Sequence, residues 1–204
     1  MADLFSADLD TDRLIMGLEL YAGRKINPDN TLLIFDEVQT GIGRSGKLFA
    51  YQQYGVVPDV VTMAKGLGGG VPIGGIIAKD HVAEAFTPGT HASTFGGNPF
   101  VTATAKYVIE TLTEPGFFES VVEKGDYLKS KLEALKKDHP AIKEVRGMGL
   151  IVGVQIDADL GAIVAKAMEK GLLLITAGSN AIRFVPPLVV TKAEIDQAVQ
   201  IFSE

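Results

Sequence analysis

Two apolar runs, Leu32-Leu33-Ile34-Phe35 and Val60-Val61-Thr62-Met63-Ala64, each stop abruptly at a charged residue, Asp36 in the first and Lys65 in the second. Runs of this length bounded by loop signals read as buried strands. Asp36 and Lys65 are 29 positions apart, which leaves room for one crossover between neighbouring parallel strands. Both charged residues then reach the same edge of one sheet. Open α/β sheets bind ligands outside the carboxyl ends of their strands, so this spacing predicts an α/β fold with a ligand site at Asp36 and Lys65.

Composition narrows the class. A chain of 204 residues that is 47% hydrophobic and 22% charged can bury a sizeable core and has no signature of disorder. A net charge of −6 and a pI near 5.1, with no cluster of Lys or Arg, argue against nucleic acid as a partner. Cysteine is absent, which removes disulfides and thiolate metal sites. His81, His91 and His139 have no metal-ligand spacing, so no metal site is expected. The acidic segment Met1 to Asp12 does not read as a signal peptide. Nor does any apolar run reach the ~18 residues of a membrane span. A soluble cytoplasmic protein is the expectation.

The periodicity lays out the elements. Leu14, Ile15, Leu18 and Tyr21 recur at helical spacing before the breaker Asn27-Pro28-Asp29-Asn30. Strands are expected over 31–35, 60–64 and 73–78, with a short helix over 48–54. The stretch 87–99 is rich in Gly, Ser, Thr and Pro and reads as a loop. Long helices follow over 100–113 and 117–139. The second has Phe118, Val121, Val122, Tyr127, Leu128, Leu132 and Leu135 on its apolar side. The tail reads strand (150–156), helix (160–170), strands (172–176 and 181–185) and helix (191–202), the last opened by a capping box of Thr191 and Glu194. The pattern changes near Pro115, which sets the expected domains at 1–114 and 115–204.

An acid and a lysine at one sheet edge suit pyridoxal phosphate chemistry: the lysine makes the imine and the acid pairs with the pyridinium nitrogen. The glycines after Lys65 allow a close backbone approach to a ligand. The plainer alternative is a loop-capping Asp36 and an exposed strand-end Lys65. A second alternative is a dinucleotide-binding oxidoreductase, because Gly41-Ile42-Gly43-Arg44-Ser45-Gly46 matches G-x-G-x-x-G after a strand. That fingerprint wants an acid near the end of the following strand, where this chain has Lys65.

Three motifs in order then resemble a known family. Phe35-Asp36-Glu37-Val38-Gln39-Thr40-Gly41, Ala64-Lys65-Gly66-Leu67-Gly68-Gly69-Gly70-Val71-Pro72-Ile73-Gly74, and Thr94-Phe95-Gly96-Gly97-Asn98-Pro99 are similar to segments of the class III, pyridoxal-phosphate-dependent aminotransferases, and within them to the acetylornithine group of arginine biosynthesis. The resemblance runs from about Leu14 to the end. It implies a fold-type-I α/β architecture, with a partial large-domain sheet and a small α+β C-terminal domain.

The resemblance also implies roles. Asp36 would bond the pyridine nitrogen, Val38 would pack on the ring and Gln39 would reach its phenolic oxygen. Lys65 would be the Schiff-base residue, and Thr94 would bind the cofactor phosphate of a neighbouring subunit. Arg183, in Arg183-Phe184-Val185-Pro186-Pro187, would hold the substrate carboxylate, for which a bidentate guanidinium is suited; its alternative is a structural ion pair. The implied reaction is transamination of N-acetylornithine, or a related ω-amino substrate, with 2-oxoglutarate as the 2-oxo acid.

Members of the family carry a further N-terminal half, including a phosphate loop and an arginine for the distal carboxylate, that has no counterpart here. A truncated or split form is therefore expected, in a homo-oligomer or with a complementing N-terminal chain. The alternative from another class is a non-catalytic cofactor-binding or interaction protein on the same scaffold.

Overall fold

The computed structural model describes residues 32–204, so the helical spacing of Leu14, Ile15, Leu18 and Tyr21 lies outside the described residues. The chain divides into two compact units that part between Phe118 and Glu119.

In the first unit, β1 (Ile34–Asp36) runs parallel to β2 (Val60–Met63), with Ile34 opposite Val60 and Asp36 opposite Thr62. The crossover inferred from the spacing is therefore present. The third strand, β3 (Gly75–Ala78), pairs antiparallel with β2, Thr62 opposite Ile76. The connection from Ala64 to Gly74 is too short to carry a crossover helix, so the chain returns antiparallel. Where a short helix was expected over 48–54 there is a single 3-10 turn, Ala50–Gln53, cut off before Gly55 and Pro58. A short helix, α1 (Asp80–Ala83), follows β3. Then comes α2 (Pro99–Leu112), which begins at a side-chain cap: Asn98 Oδ1 accepts from Val101 N at 3.2 Å, and Pro99 takes the first helical position.

Asp59 binds the three strands together at their base. Its Oδ2 accepts from Leu33 N and its Oδ1 from Lys79 Nζ, both at 2.9 Å. The Leu33 amide, and then the Lys79 ammonium, hold the Asp59 carboxyl below the usual carboxylate range. A carboxylate whose pKa is lower folded than unfolded stabilises the fold above its unfolded pKa, and that contribution disappears as pH falls through the folded value. Asp59→Asn is accordingly expected to be less stable at neutral pH and to lose less stability below about pH 5. Urea midpoints measured across that range check this; parallel curves for the variant and the parent would count against it.

The second unit is a four-stranded antiparallel sheet in the order β4-β5-β7-β6, covered by helices. Its elements are α3 (Phe117–Leu135), which enters from the first unit, β4 (Ile142–Met148), β5 (Ile151–Ile156), α4 (Leu160–Glu169), β6 (Ile175–Ala177), β7 (Ala181–Phe184) and α5 (Lys192–Ser203). β5 alternates as the pleat requires, with Val152, Val154 and Ile156 buried. Opposite them on β7, Val152 faces Phe184 and Val154 faces Ile182, all four buried. On α3 the buried residues are Val121, Gly125, Leu128 and Leu132, one helical face. Tyr127 Oη donates to Asp196 Oδ1 at 2.9 Å and Lys131 pairs with the same carboxylate at 2.8 Å, tying α3 to α5. The capping box expected at Thr191 is present: Glu194 N donates to Thr191 Oγ1 at 3.2 Å, and Thr191 N to Glu194 Oε2 at 2.7 Å.

Two differences from the sequence reading have identifiable causes. β4 was not expected, because Ile142, Val145 and Met148 break the two-residue alternation. A register shift between Ile142 and Glu144 accounts for the break between Ile142 and Val145. β6 was expected over 172–176 but begins at Ile175. The preceding residues close α4 instead: Leu172 N donates to Ala167 O at 2.9 Å and Gly171 N to Met168 O at 3.0 Å, with Gly171 at φ +84°. That is a Schellman ending.

Candidate active site

The first unit brings Asp36, Val38, Gln39 and Lys65 to one end of its sheet. Asp36 is the last residue of β1 and is exposed. Its Oδ1 accepts from Val38 N and from Thr62 Oγ1, both at 3.0 Å, and Oδ2 has no partner among the described residues. One oxygen is thus fixed and the other faces outward. Val38 and Gln39 follow in a turn, both half-buried.

Glu37 points the opposite way, as alternation demands, and is 3% exposed. Its Oε1 accepts from Tyr51 N at 2.9 Å, its Oε2 accepts from Thr40 Oγ1, and its carbonyl accepts from Gly41 N at 3.0 Å. It therefore closes the 38–51 loop back onto β1. Burial, and then the charge of Glu37, raise the pKa of the Tyr54 phenol. A Cβ at Gly41 would lie 2.8 Å from Glu37 O, so only glycine fits that turn.

Lys65 lies just beyond the end of β2, exposed, with its ammonium free of hydrogen bonds and ion pairs among the described residues. Its φ is +47°, a left-handed conformation uncommon outside glycine and asparagine. From it the chain enters a 3-10 turn, Lys65–Gly68, closed by Leu67 N donating to Ala64 O at 3.0 Å. Gly69, at φ +57°, follows against α2: a Cβ there would meet Val108 Cγ2 at 2.9 Å. Among the described residues, Ile42 is the other non-glycine residue with positive φ, at +53°. Held conformations of this kind cost ~1–3 kcal/mol each and gather at functional sites.

The segment matching G-x-G-x-x-G folds into turns. Arg44 N donates to Gly41 O at 3.3 Å, Gly46 N to Gly43 O at 3.0 Å and Gly43 N to Leu48 O at 3.3 Å. It opens no helix, so it lacks the helix N-terminus on which a dinucleotide pyrophosphate rests.

The other two expected site residues lie elsewhere in the chain. Thr94 is exposed on the loop between α1 and α2. Arg183 belongs to the second unit, on β7, half-buried between Gly153 of β5 and Ile175 of β6. Thr62, Glu37 and Ile42 were not singled out from the sequence. Thr62 becomes visible only through the β1–β2 register, and Ile42 only through its backbone angle.

Known proteins resemble this chain over nearly all its length. The model of the aminotransferase class-III family matches residues 24–204. An acetylornithine aminotransferase of Caldanaerobacter subterraneus subsp. tengcongensis is 56% identical over 185 residues, which is 90% of this chain and 47% of that protein. Among solved structures, the ornithine delta-aminotransferase of Plasmodium falciparum superposes with a TM-score of 0.81 at 34% identity, over 94% of this chain and 49% of that one. The acetylornithine aminotransferase of Elizabethkingia anophelis gives 0.79 at 35% identity, over 86% of this chain and 45% of its own. The chain spans about half the length of the relatives it matches. With an α/β scaffold of fold type I and the motif residues Asp36 and Lys65 at one sheet edge, the chain belongs to the class-III aminotransferases.

Proposed function

We propose that this chain carries the lysine-bearing part of an aminotransferase acting on N-acetylornithine, or a related ω-amino substrate, with 2-oxoglutarate as acceptor. The cofactor of the class is pyridoxal 5'-phosphate. When bound, it supplies an electrophilic aldehyde and a ring that accepts electrons. The residues present fit it. Asp36 has one carboxylate oxygen fixed and the other open, and Lys65 offers an amine free of partners among the described residues. A Cβ on Gly70 would meet nothing within 4 Å, so the backbone after Lys65 is open to a ligand.

Each residue then has a task. Asp36 would hold the ring nitrogen through its open oxygen and keep it protonated, because Val38 N and Thr62 Oγ1 fix the carboxylate plane. Val38 and Gln39 would contact the ring face and the phenolic oxygen. Lys65 Nζ would bind the cofactor, give way to the substrate amine and, as a free amine, move the proton from the substrate carbon that bears the reacting amine, the δ carbon in N-acetylornithine. Arg183 would hold the substrate carboxylate. Thr94 would hold the phosphate at a neighbouring subunit's site, in a homo-oligomer or with a complementing N-terminal chain. In this reading 1–114 belongs to a cofactor-binding large domain and 115–204 to a small domain, in the cytoplasm. No helix among the described residues is long and apolar enough to cross a membrane.

The observation that supports this most is the pairing of an open-sided Asp36 with a partner-free Lys65 at one sheet edge. The test is to mix the purified chain with pyridoxal phosphate, reduce with borohydride and map the modified peptide by mass spectrometry. The expected result is label on Lys65, diminished when N-acetylornithine is added before reduction. A folded chain with no label at Lys65 would reject the reading and favour a non-catalytic role for the scaffold.

A further inference from the structure

Among the described residues, two that are not glycine have positive φ, Ile42 at +53° and Lys65 at +47°; they come from separate motifs, and Ile42 comes close to the turn that Lys65 opens. Ile42 is 3% exposed and lies under Gly66, the residue after the lysine. A Cβ on Gly66 would sit 3.4 Å from Ile42 Cγ2, 3.5 Å from its Cβ and 4.0 Å from its carbonyl oxygen. A β-branched residue is among the least suited to this backbone region. Its presence needs surroundings that over-determine it, and two neighbours do so. Gly41 before it is pinned by the hydrogen bond to Glu37 O at 3.0 Å, and Gly43 after it by the bond to Leu48 O at 3.3 Å. The side chain of Ile42 thereby lies beside the turn that carries Lys65, near enough that a Cβ on Gly66 would just touch it.

We propose that Ile42 is a positioning residue for Lys65: held in its own left-handed conformation, it supports Gly66 from below and keeps Lys65 in the conformation that presents its amine. Ile42 touches neither substrate nor cofactor; it acts through Gly66. This rests on the reading of Lys65 as the cofactor-binding lysine. It adds that the loop after Asp36 and the turn after Lys65 form one mechanical unit, so that the acid and the amine are set relative to each other by the Ile42–Gly66 contact. The link is favourable because a rigid backbone contact spares the exposed lysine a search through other conformations.

The test uses the whole chain and two variants. Ile42→Gly accepts the positive φ without strain but removes the supporting side chain. Ile42→Val keeps the β-branch and most of the contact. Two readouts are taken on each: the rate of borohydride-trapped pyridoxal phosphate label at Lys65, and hydrogen exchange at the Leu67 and Gly69 amides. In the turn these amides donate to Ala64 O and Gly66 O at 3.0 and 3.1 Å. Ile42→Gly is expected to slow labelling of Lys65 about tenfold and to speed exchange in the 64–70 segment, while the β2–β3 ladder exchanges as in the parent. Ile42→Val is expected to restore both. Labelling at the parental rate in Ile42→Gly, or faster exchange spread evenly over β1, β2 and β3, would overturn the proposal. Should the parent chain take no label at Lys65, the functional reading fails by itself, and the exchange pattern alone still decides the role of Ile42.

Discussion

Gly125→Ala is expected to destabilise the second unit by more than about 3 kcal/mol, beyond the ordinary range for a surface or core substitution. Gly125 lies on the buried face of α3. A Cβ there would stand 2.0 Å from Gly149 O, 2.5 Å from its carbonyl carbon and 2.9 Å from its Cα. All three atoms belong to backbone, in the turn that joins β4 to β5, so no side-chain rotation relieves the overlap. Either α3 lifts off the sheet, exposing Val121, Leu128 and Leu132, or the turn breaks. Gly171→Ala serves as the contrast. Its φ is +84° but a Cβ would meet nothing within 4 Å, so only the left-handed penalty of ~1–2 kcal/mol applies. Urea unfolding followed by circular dichroism distinguishes the two. Equal midpoints for both variants would mean that α3 does not approach Gly149 as closely as the structure has it.

Lys65→Ala is expected to remove all borohydride-trapped cofactor from the 64–70 peptide while leaving the unfolding midpoint unchanged. The side chain is exposed and makes no hydrogen bond or ion pair among the described residues, so its loss removes no contact. Alanine suffers the same left-handed penalty as lysine at φ +47°. Lys65→Gly is expected to lose the label equally and to gain up to about 1 kcal/mol, since glycine takes this conformation without steric cost. Opposite movements of function and stability at one residue are what a strained functional position produces. Undiminished label in Lys65→Ala, carried on another lysine, would show that the imine forms elsewhere.

The long elements were readable because their periodicity is strong. Val121, Leu128 and Leu132 repeat at helical spacing and are all buried on α3, and Thr191 with Glu194 marks the start of α5 as expected. The β1–β2 crossover followed from chain length between two apolar runs. The misses are places where one residue upsets the count. A bulge near Ile142 hides β4, and a Schellman ending at Gly171 takes residues that otherwise resemble strand. At the candidate site the motifs point to Asp36 and Lys65, whereas Glu37, not singled out from the sequence, bolts the loop from the buried side. Asn98 and Pro99, noticed as part of a motif, also cap α2.

By itself the sequence determined the α/β class, the order of the main helices, the placement of an acid and a lysine at one strand edge, and family membership through three ordered motifs. The first three depend on composition, periodicity and spacing along the chain, which are local properties, and the last on the resemblance of the motif residues to a known family. Only the tertiary structure decided that one oxygen of Asp36 is held by Val38 and Thr62, that Glu37 faces inward, that Gly125 admits the Gly149 backbone, and that Ile42 lies beneath Gly66. Each of these depends on which atoms lie within a few ångströms across the fold. Such neighbours come from register, backbone angle and packing, none of which any single segment encodes.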